Sequence, residues 1–278
     1  MQKLSYTLYN KSGRKFPLDF RFKDKKPKPT IIFCHGFKGF KDWGHFPLLL
    51  DELAKHNYGV ISFNFSLNGG TVEQPIDFPD LDAFSKNTYS QELEDLGIVV
   101  DFIEHKLLEN HPFLTNDIYL MGHSRGGGIA ILYASKDKRI KKLITLAAVS
   151  DFIKRLPDVE DLKEWERKGV RYILNGRTKQ EMPMCYDFVK DLLTNHEKLN
   201  IKLAEEELTI PHLILHGKND EAVDYKEAIE LHEVNPNSEL KLFKETNHTF
   251  GGFHPFNKTT LPTETQICLN EILLFLSK

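Results

Sequence analysis

Ile118-Tyr119-Leu120-Met121-Gly122-His123-Ser124-Arg125-Gly126-Gly127-Gly128 is the stretch that decides the fold. An apolar run of strand type, Ile118 to Met121, leads into a serine flanked by glycines. A helix-like run, Ile129 to Ala134, follows. Glycines at 122 and 126 let backbone segments approach closely, so the chain can turn sharply and lift the Ser124 hydroxyl above a sheet edge. The N-terminus of the next helix favours negative charge nearby. A hydroxyl placed there can attack an acyl carbon if a histidine and an acid stand downstream.

Outward from this turn, strand and helix signals alternate. Upstream, Leu4–Tyr9 and Phe16–Phe22 read as a hairpin turning at Ser12-Gly13. Thr30–Cys34 reads as a buried strand ending in His35-Gly36-Phe37, Phe46–Lys55 as a helix with Pro47 in its first turn, and Val60–Phe65 as another strand. Residues 66–88 read as a loop of a length that is uncommon unless it serves a site or is disordered. Leu93, Leu96, Val100 and Ile103 give Ser90–Leu108 one apolar helical face. Downstream come a strand at Leu143–Val149, a strand at His212–His216, a helix at Ala222–His232, a strand at Leu240–Phe243 and a helix at Glu264–Leu276. This rhythm predicts a mostly parallel sheet with helices on both faces.

The rhythm breaks between Ser150 and Ile210. A charged helix (Asp158–Lys168), a small hairpin about Asn175-Gly176 and a helix (Tyr186–Leu193) read as an excursion over the sheet's C-terminal edge. The expected organisation is a core of residues 1–150 and 210–278 with a cap of residues 151–209, the alternative for the insertion being a peripheral packing element.

Composition narrows the function classes. The 278 residues are 40% hydrophobic and 28% charged, with a formal net charge of -3. The one Lys-rich stretch, Lys23 to Lys28, is short and broken by Pro27, so it reads as a solvated turn and no nucleic-acid partner is expected. No apolar leader and no span of membrane length is read, so the expectation is a cytoplasmic protein without a membrane partner. Cysteines at 34, 185 and 268 have neither metal nor disulfide spacing, and Cys34 reads as a small buried hydrophobe. His35 and His123 stand beside glycine turns without a supporting ligand pattern, so no metal and no other cofactor is expected.

A serine needs a base, and the base needs an orienting acid. Two later strands end in suitable loops. In His216-Gly217-Lys218-Asn219-Asp220, Asp220 is the preferred acid, with Glu221 and Asp224 as competitors. In Asn247-His248-Thr249-Phe250, His248 is the preferred base and His254 the runner-up. The oxyanion of an acyl intermediate needs two converging N–H donors, for which Arg125 and Phe37 are the candidates. Phe37, His35 and His123 are the candidate substrate-binding residues. Trp43 and Phe46 read either as part of a substrate wall or as helix packing.

These segments, in the order Ser124, Asp220, His248, resemble the α/β-hydrolase superfamily over nearly the whole chain. They look closest to bacterial esterases related to dienelactone hydrolases, to feruloyl (cinnamoyl) esterases and to the serine-aminopeptidase-like group. The resemblance implies an eight-stranded, mostly parallel sheet with its second strand antiparallel. It also implies Ser124 as nucleophile, Asp220 as acid, His248 as base, and the N–H groups of Phe37 and Arg125 as oxyanion donors. Feruloyl-esterase-like members carry a small cap after the sixth strand, the place that residues 151–209 occupy here. Dienelactone hydrolases proper use cysteine where Ser124 stands, which disfavours that reaction. The chain is too short for the N-terminal propeller of the fuller peptidase relatives, which puts peptidase activity second. The expected activity is carboxylic-ester hydrolysis on a small aryl or acyl ester. Peptidase, thioesterase or lipase activity and an inactive binding scaffold are the rivals. A homodimer is compatible with the sequence, although no heptad or apolar face requires one.

Overall fold

A computed structural model describes residues 1–23 and 28–278. The solvated turn expected at Lys23 to Lys28 lies largely outside the described residues. The chain opens with β1 (Gln2–Tyr9) and β2 (Lys15–Phe22), then β3 (Lys28–Cys34), α1 (Phe46–Lys55) and β4 (Gly59–Phe63). Next come α2 (Leu81–Ser85), α3 (Tyr89–Phe102) running through a π-helical turn (Ile103–Leu107) into α4 (Leu108–Asn110), β5 (Leu114–His123), α5 (Arg125–Ala134) and β6 (Ile140–Leu146). A 3-10 turn (Ile153–Arg155), α6 (Val159–Lys168), β7 (Val170–Leu174), β8 (Glu181–Cys185), α7 (Asp187–Thr194) and α8 (Ile201–Glu206) follow. The chain closes with β9 (His212–Gly217), α9 (Lys226–Val234), β10 (Glu239–Phe243) and α10 (Thr263–Ser277).

Eight strands form one sheet in the order β1-β2-β4-β3-β5-β6-β9-β10. Strand β2 runs antiparallel to both neighbours, and the pairs from β4 to β10 are parallel. The strand–helix rhythm implied a mostly parallel sheet, and the resemblance implied eight strands with the second antiparallel; both are found. Alternate residues of each central strand enter opposite apolar layers, as a pleat with a period of two requires. Ile32 and Leu120 pack under α3 and α5, while Ile31, Phe33 and Met121 pack under α1 and α10. Each fully buried aliphatic or aromatic side chain contributes roughly 1.5–3 kcal/mol, so two covered faces hold the sheet rigid beneath its C-terminal edge.

Several boundaries differ from the sequence reading, each for a local reason. The strand expected at Leu143–Val149 starts at Ile140 and stops at Leu146, because Ala147 turns to φ 50° and donates its N–H to Leu215. The helix expected from Ala222 begins at Lys226, because Asp220 takes the Ala222 and Val223 N–H groups and Asp224 takes that of Lys226. The loop expected over 66–88 contains α2, capped by Asp80. Asn175-Gly176 does not make a two-residue hairpin turn. Six residues separate β7 from β8, the Lys179 N–H reaches the Asn175 carbonyl, and the left-handed residue is Lys179.

Between β6 and β9 the chain leaves the sheet, and its hairpin is pinned to the 66–88 segment. Arg177 pairs with Asp77, Gln180 donates to the Phe78 carbonyl at 3.3 Å, and Cys185 lies 3.5 Å from Ser85 Oγ. Trp165 of α6 donates to the Met184 carbonyl at 2.9 Å, tying helix to hairpin.

Candidate active site

Ser124 sits between β5 and α5 at φ 56°, ψ -122°. A non-glycine residue held there is strained by roughly 1–3 kcal/mol and persists only where its surroundings over-determine it. The neighbouring glycines do so. A Cβ at Gly122 would stand 2.3 Å from the Gly126 carbonyl oxygen, and one at Gly126 would stand 2.4 Å from the Cys34 and His35 carbonyl oxygens. The Ser124 N–H donates to Leu146 at 2.9 Å, which fixes the turn to β6.

The loops after β9 and β10 are drawn together by backbone contact. Lys218 N–H reaches Phe243, Asn219 N–H reaches Thr246, and a Cβ at Gly217 would meet the Thr246 carbonyl oxygen at 2.1 Å. This brings Asp220 to His248, whose Nδ1 lies 2.7 Å from Oδ2 of the acid. Oδ1 of Asp220 accepts the Ala222 and Val223 N–H groups, both at 2.8 Å, and His216 Nε2 lies 3.2 Å from Oδ2. Burial alone would raise the Asp220 pKa. The hydrogen bonds from His216, His248 and Val223 outweigh it and hold the carboxyl well below the usual carboxylate range.

His248 and Ser124 line the same two cavities. Among the described residues neither Ser124 Oγ nor His248 Nε2 is hydrogen-bonded, to one another or to another group. The competitors lie elsewhere in role. Asp224 accepts the Lys226 N–H at the start of α9, and His254 accepts the Gly44 N–H at 2.9 Å while packing on Phe40 and Trp43.

Phe37 belongs to the turn after β3, and the Cβ of Ser124 stands 3.0 Å from where a Gly36 Cβ would be. Neither the Phe37 nor the Arg125 N–H donates to a protein acceptor among the described residues. His35 is fully used. Its Nδ1 donates to the Gly36 carbonyl at 2.9 Å and its Nε2 accepts the Phe65 N–H at 3.2 Å, while burial lowers its pKa to about 4. It therefore ties the turn to the end of β4 and offers the cavity only its ring. His123 Nε2 donates to the carbonyl of His248 at 3.0 Å and anchors the main chain beneath the imidazole. Burial, reinforced by the His248 ring, lowers the His123 pKa to about 3, so it is neutral.

Two residues escaped the sequence reading. In sequence His216 is a strand end, yet its Nε2 lies 3.2 Å from Oδ2 of Asp220; its place four residues before the acid is the available signal. Glu92 is buried under Arg125, with Nη1 of the arginine 3.4 Å from Oε1 and Asn87 donating to the same oxygen at 2.7 Å. Burial raises its pKa against the pull of Arg125 and Asn87. No sequence pattern marked it, because it sits on α3, far from any motif.

The larger cavity, about 450 Å³, lies between the core turns and the inserted segment, with Tyr89, Phe152, Trp165 and Phe188 among its walls. The smaller, about 220 Å³, opens on the other side of Ser124, and Trp43 and Phe46 line it. Both also pack: Phe46 on Phe33, and Trp43 on Phe46. Among the described residues no group of three or more His, Cys, Asp or Glu is arranged to hold a metal ion, and no helix is long and apolar enough to cross a membrane.

This chain belongs to the α/β-hydrolase fold family, whose profile matches residues 29–179. Among curated proteins it is similar to "Putative esterase/lipase 2" of Mycoplasma genitalium, at 30% identity over 132 residues. That match covers 47% of this chain and 42% of the relative, so the chain spans less than half of that protein. It is also similar to the monoglyceride lipase of Rattus norvegicus, at 27% identity over 205 residues and 64% of each chain. Among solved structures, Est1E from Butyrivibrio proteoclasticus with ferulic acid bound superposes with a TM-score of 0.70 at 21% identity, over 99% of this chain and 96% of that one. The acylaminoacyl peptidase of Pyrococcus horikoshii gives 0.68 at 14% identity, over all of this chain but 41% of that one. At such identities the structural likeness is one of fold.

Proposed function

We propose that this chain is a serine carboxylic-ester hydrolase that works through an acyl-enzyme on an aryl or acyl ester. The observation that carries the reading is the 2.7 Å contact between His248 Nδ1 and Asp220, with His248 and Ser124 lining the same two cavities. An ionised Asp220 on Nδ1 selects the tautomer whose free Nε2 accepts a proton. In the first half-reaction Ser124 Oγ attacks the ester carbonyl carbon and passes its proton to Nε2. The oxyanion sits on the Phe37 and Arg125 N–H groups. Collapse breaks the carbon–oxygen bond to the alcohol, which leaves with the proton from His248. In the second, water gives a proton to His248, attacks the acyl carbon and releases the acid, and Ser124 recovers its proton.

The inserted segment acts in this reading as a cap over residues 151–209, and its aromatic walls suit an aryl or acyl group. The esterase and lipase names of the relatives support the same class. The test is a panel of p-nitrophenyl esters, thioesters and peptide amides, together with fluorophosphonate labelling. Turnover of short esters, with an adduct at Ser124 that vanishes in Ser124→Ala, is the expected result. Amide turnover without ester turnover would move the chain to the peptidases, and thioester preference to the thioesterases. A folded protein that takes no adduct would be a binding scaffold.

A further inference from the structure

The two cavities flanking Ser124 have an unusual charge. Lys38, Arg125, Arg155 and Arg171 line the larger and Lys38 and Arg177 the smaller, while no Asp or Glu lines either. The protein as a whole is net negative, at -3, so this cationic lining is local.

Most of these cations are matched from behind. Arg155 pairs with Glu227, Arg171 with Asp161 at 3.1 Å, and Arg177 with Asp77. Arg125 is matched less well. Its partner Glu92 lies 3.4 Å away, and burial pushes that carboxyl toward its neutral form. Among the described residues no carboxylate acts on Lys38; burial and Arg125 are the influences on it. It is half-buried, and its Nζ lies 5.7 Å from the centre of the Phe37 ring, on which the Arg125 guanidinium also rests at 3.9 Å. Burial, and then the charge of Arg125, lower the Lys38 pKa. Two under-compensated cations therefore share one aromatic ring beside the candidate nucleophile. A neutral ester would leave that repulsion in place, whereas an anion would relieve it.

We propose that the larger cavity selects esters that carry a carboxylate remote from the scissile carbonyl, received by Lys38 and Arg125. This rests on the ester-hydrolase reading and names its substrate class. The aromatic walls then hold the body of the substrate, and the cationic end fixes which way round it lies.

The experiment compares p-nitrophenyl butyrate with the half-ester p-nitrophenyl glutarate, which bears the anion on the acyl side. It also compares phenyl butyrate with 4-(butyryloxy)benzoate, which bears it on the alcohol side. One anionic ester should exceed its neutral counterpart in kcat/KM by roughly tenfold or more, the scale of a charge-assisted contact. That ratio should fall toward one in Lys38→Met, persist in Lys38→Arg, and shrink as salt rises. Equal or better turnover of both neutral esters overturns the proposal. So does a preference that survives in folded Lys38→Met. Calorimetry of monomethyl glutarate against methyl pentanoate on the Ser124→Ala protein reads the anion site without turnover. If no ester is hydrolysed, the ester-hydrolase reading falls. The calorimetry then still decides the site: tighter binding of the anion supports it, and equal or no binding of the two overturns it.

Discussion

Asp220 divides its two oxygens between a backbone turn and His248. Oδ1 takes the Ala222 and Val223 N–H groups of the loop before α9, and Oδ2 takes the imidazole at 2.7 Å. Asp220→Asn should therefore keep the fold, since an amide oxygen can still accept both N–H groups. Its NH₂ would face Nδ1 and impose the wrong tautomer. The expected result is a fall in kcat of about 10³–10⁴ with the melting temperature little changed. Steady-state kinetics beside a thermal melt checks both halves. A loss below about tenfold would remove Asp220 from the relay.

The glycine beside the serine turn makes a second prediction with its own control. A methyl at Gly126 would stand 2.4 Å from two backbone carbonyl oxygens, neither of which can rotate away. Gly126→Ala should cost more than about 2 kcal/mol and depress ester turnover by displacing the His35–Phe37 turn. Gly176→Ala meets nothing within 4 Å and should stay within about 0.5 kcal/mol of the parent. Urea melts of the two variants decide it, and similar costs for both would refute the steric account.

The contrast between those glycines shows what the sequence could and could not say. Gly122 and Gly126 are legible because a strand, a serine and a helix surround them, and that context admits only one sharp turn. Asn175-Gly176 carries an equally strong local signal, yet the hairpin there closes over six residues. Contacts to the 66–88 segment, Arg177 with Asp77 and Gln180 with Phe78, hold the tip open. Such tertiary pulls are invisible to local pattern. The same holds within the site. Asp220 and His248 are legible because each follows a strand in the expected chain order. Glu92, Lys38 and the supporting role of His216 become visible only when distant elements are folded onto the serine turn.

Asp95 gives the stability a pH dependence of defined sign. It is buried on α3, where it accepts the Ser66 N–H at 2.6 Å and Gln91 at 3.0 Å. Burial pushes its pKa up to about 7, against these hydrogen bonds. Between its ordinary value of 3.8 and about 7, the unfolded chain has lost the proton and the folded chain keeps it. Stability from this site is thus complete below the ordinary value, declines as pH rises, and levels off above about 7. A shift of this size corresponds to a few kcal/mol, on the order of 4. The buried, neutral His35 and His123 act with the opposite sign over the same range, so the readout is a difference between proteins. From pH 4 to 8 the denaturant midpoint of Asp95→Asn should gain on that of the parent as pH rises, by a slope of up to one proton. An equal slope in both proteins would assign the effect to another group.

The pair Arg177–Asp77 separates stability from substrate access. It joins the tip of the β7–β8 hairpin to the 66–88 segment, and Arg177 also lines the smaller cavity beside Ser124. The two side chains are 29% and 41% exposed, so screening by water leaves such a pair worth no more than about 1 kcal/mol. Asp77→Asn should therefore hardly move the melting temperature. It does free the hairpin tip and leave Arg177 without its carboxylate, which changes the shape and charge of that cavity's mouth. The expected kinetic signature is a KM altered by a few-fold for esters with a bulky leaving group or acyl chain, with kcat for the smallest esters much less affected. Arg177→Met should act in the same direction. The double variant should add little, because each single change already breaks the same link. A loss of several kcal/mol from Asp77→Asn would make the pair a structural brace. Fully additive kinetic effects would show that the two residues act apart.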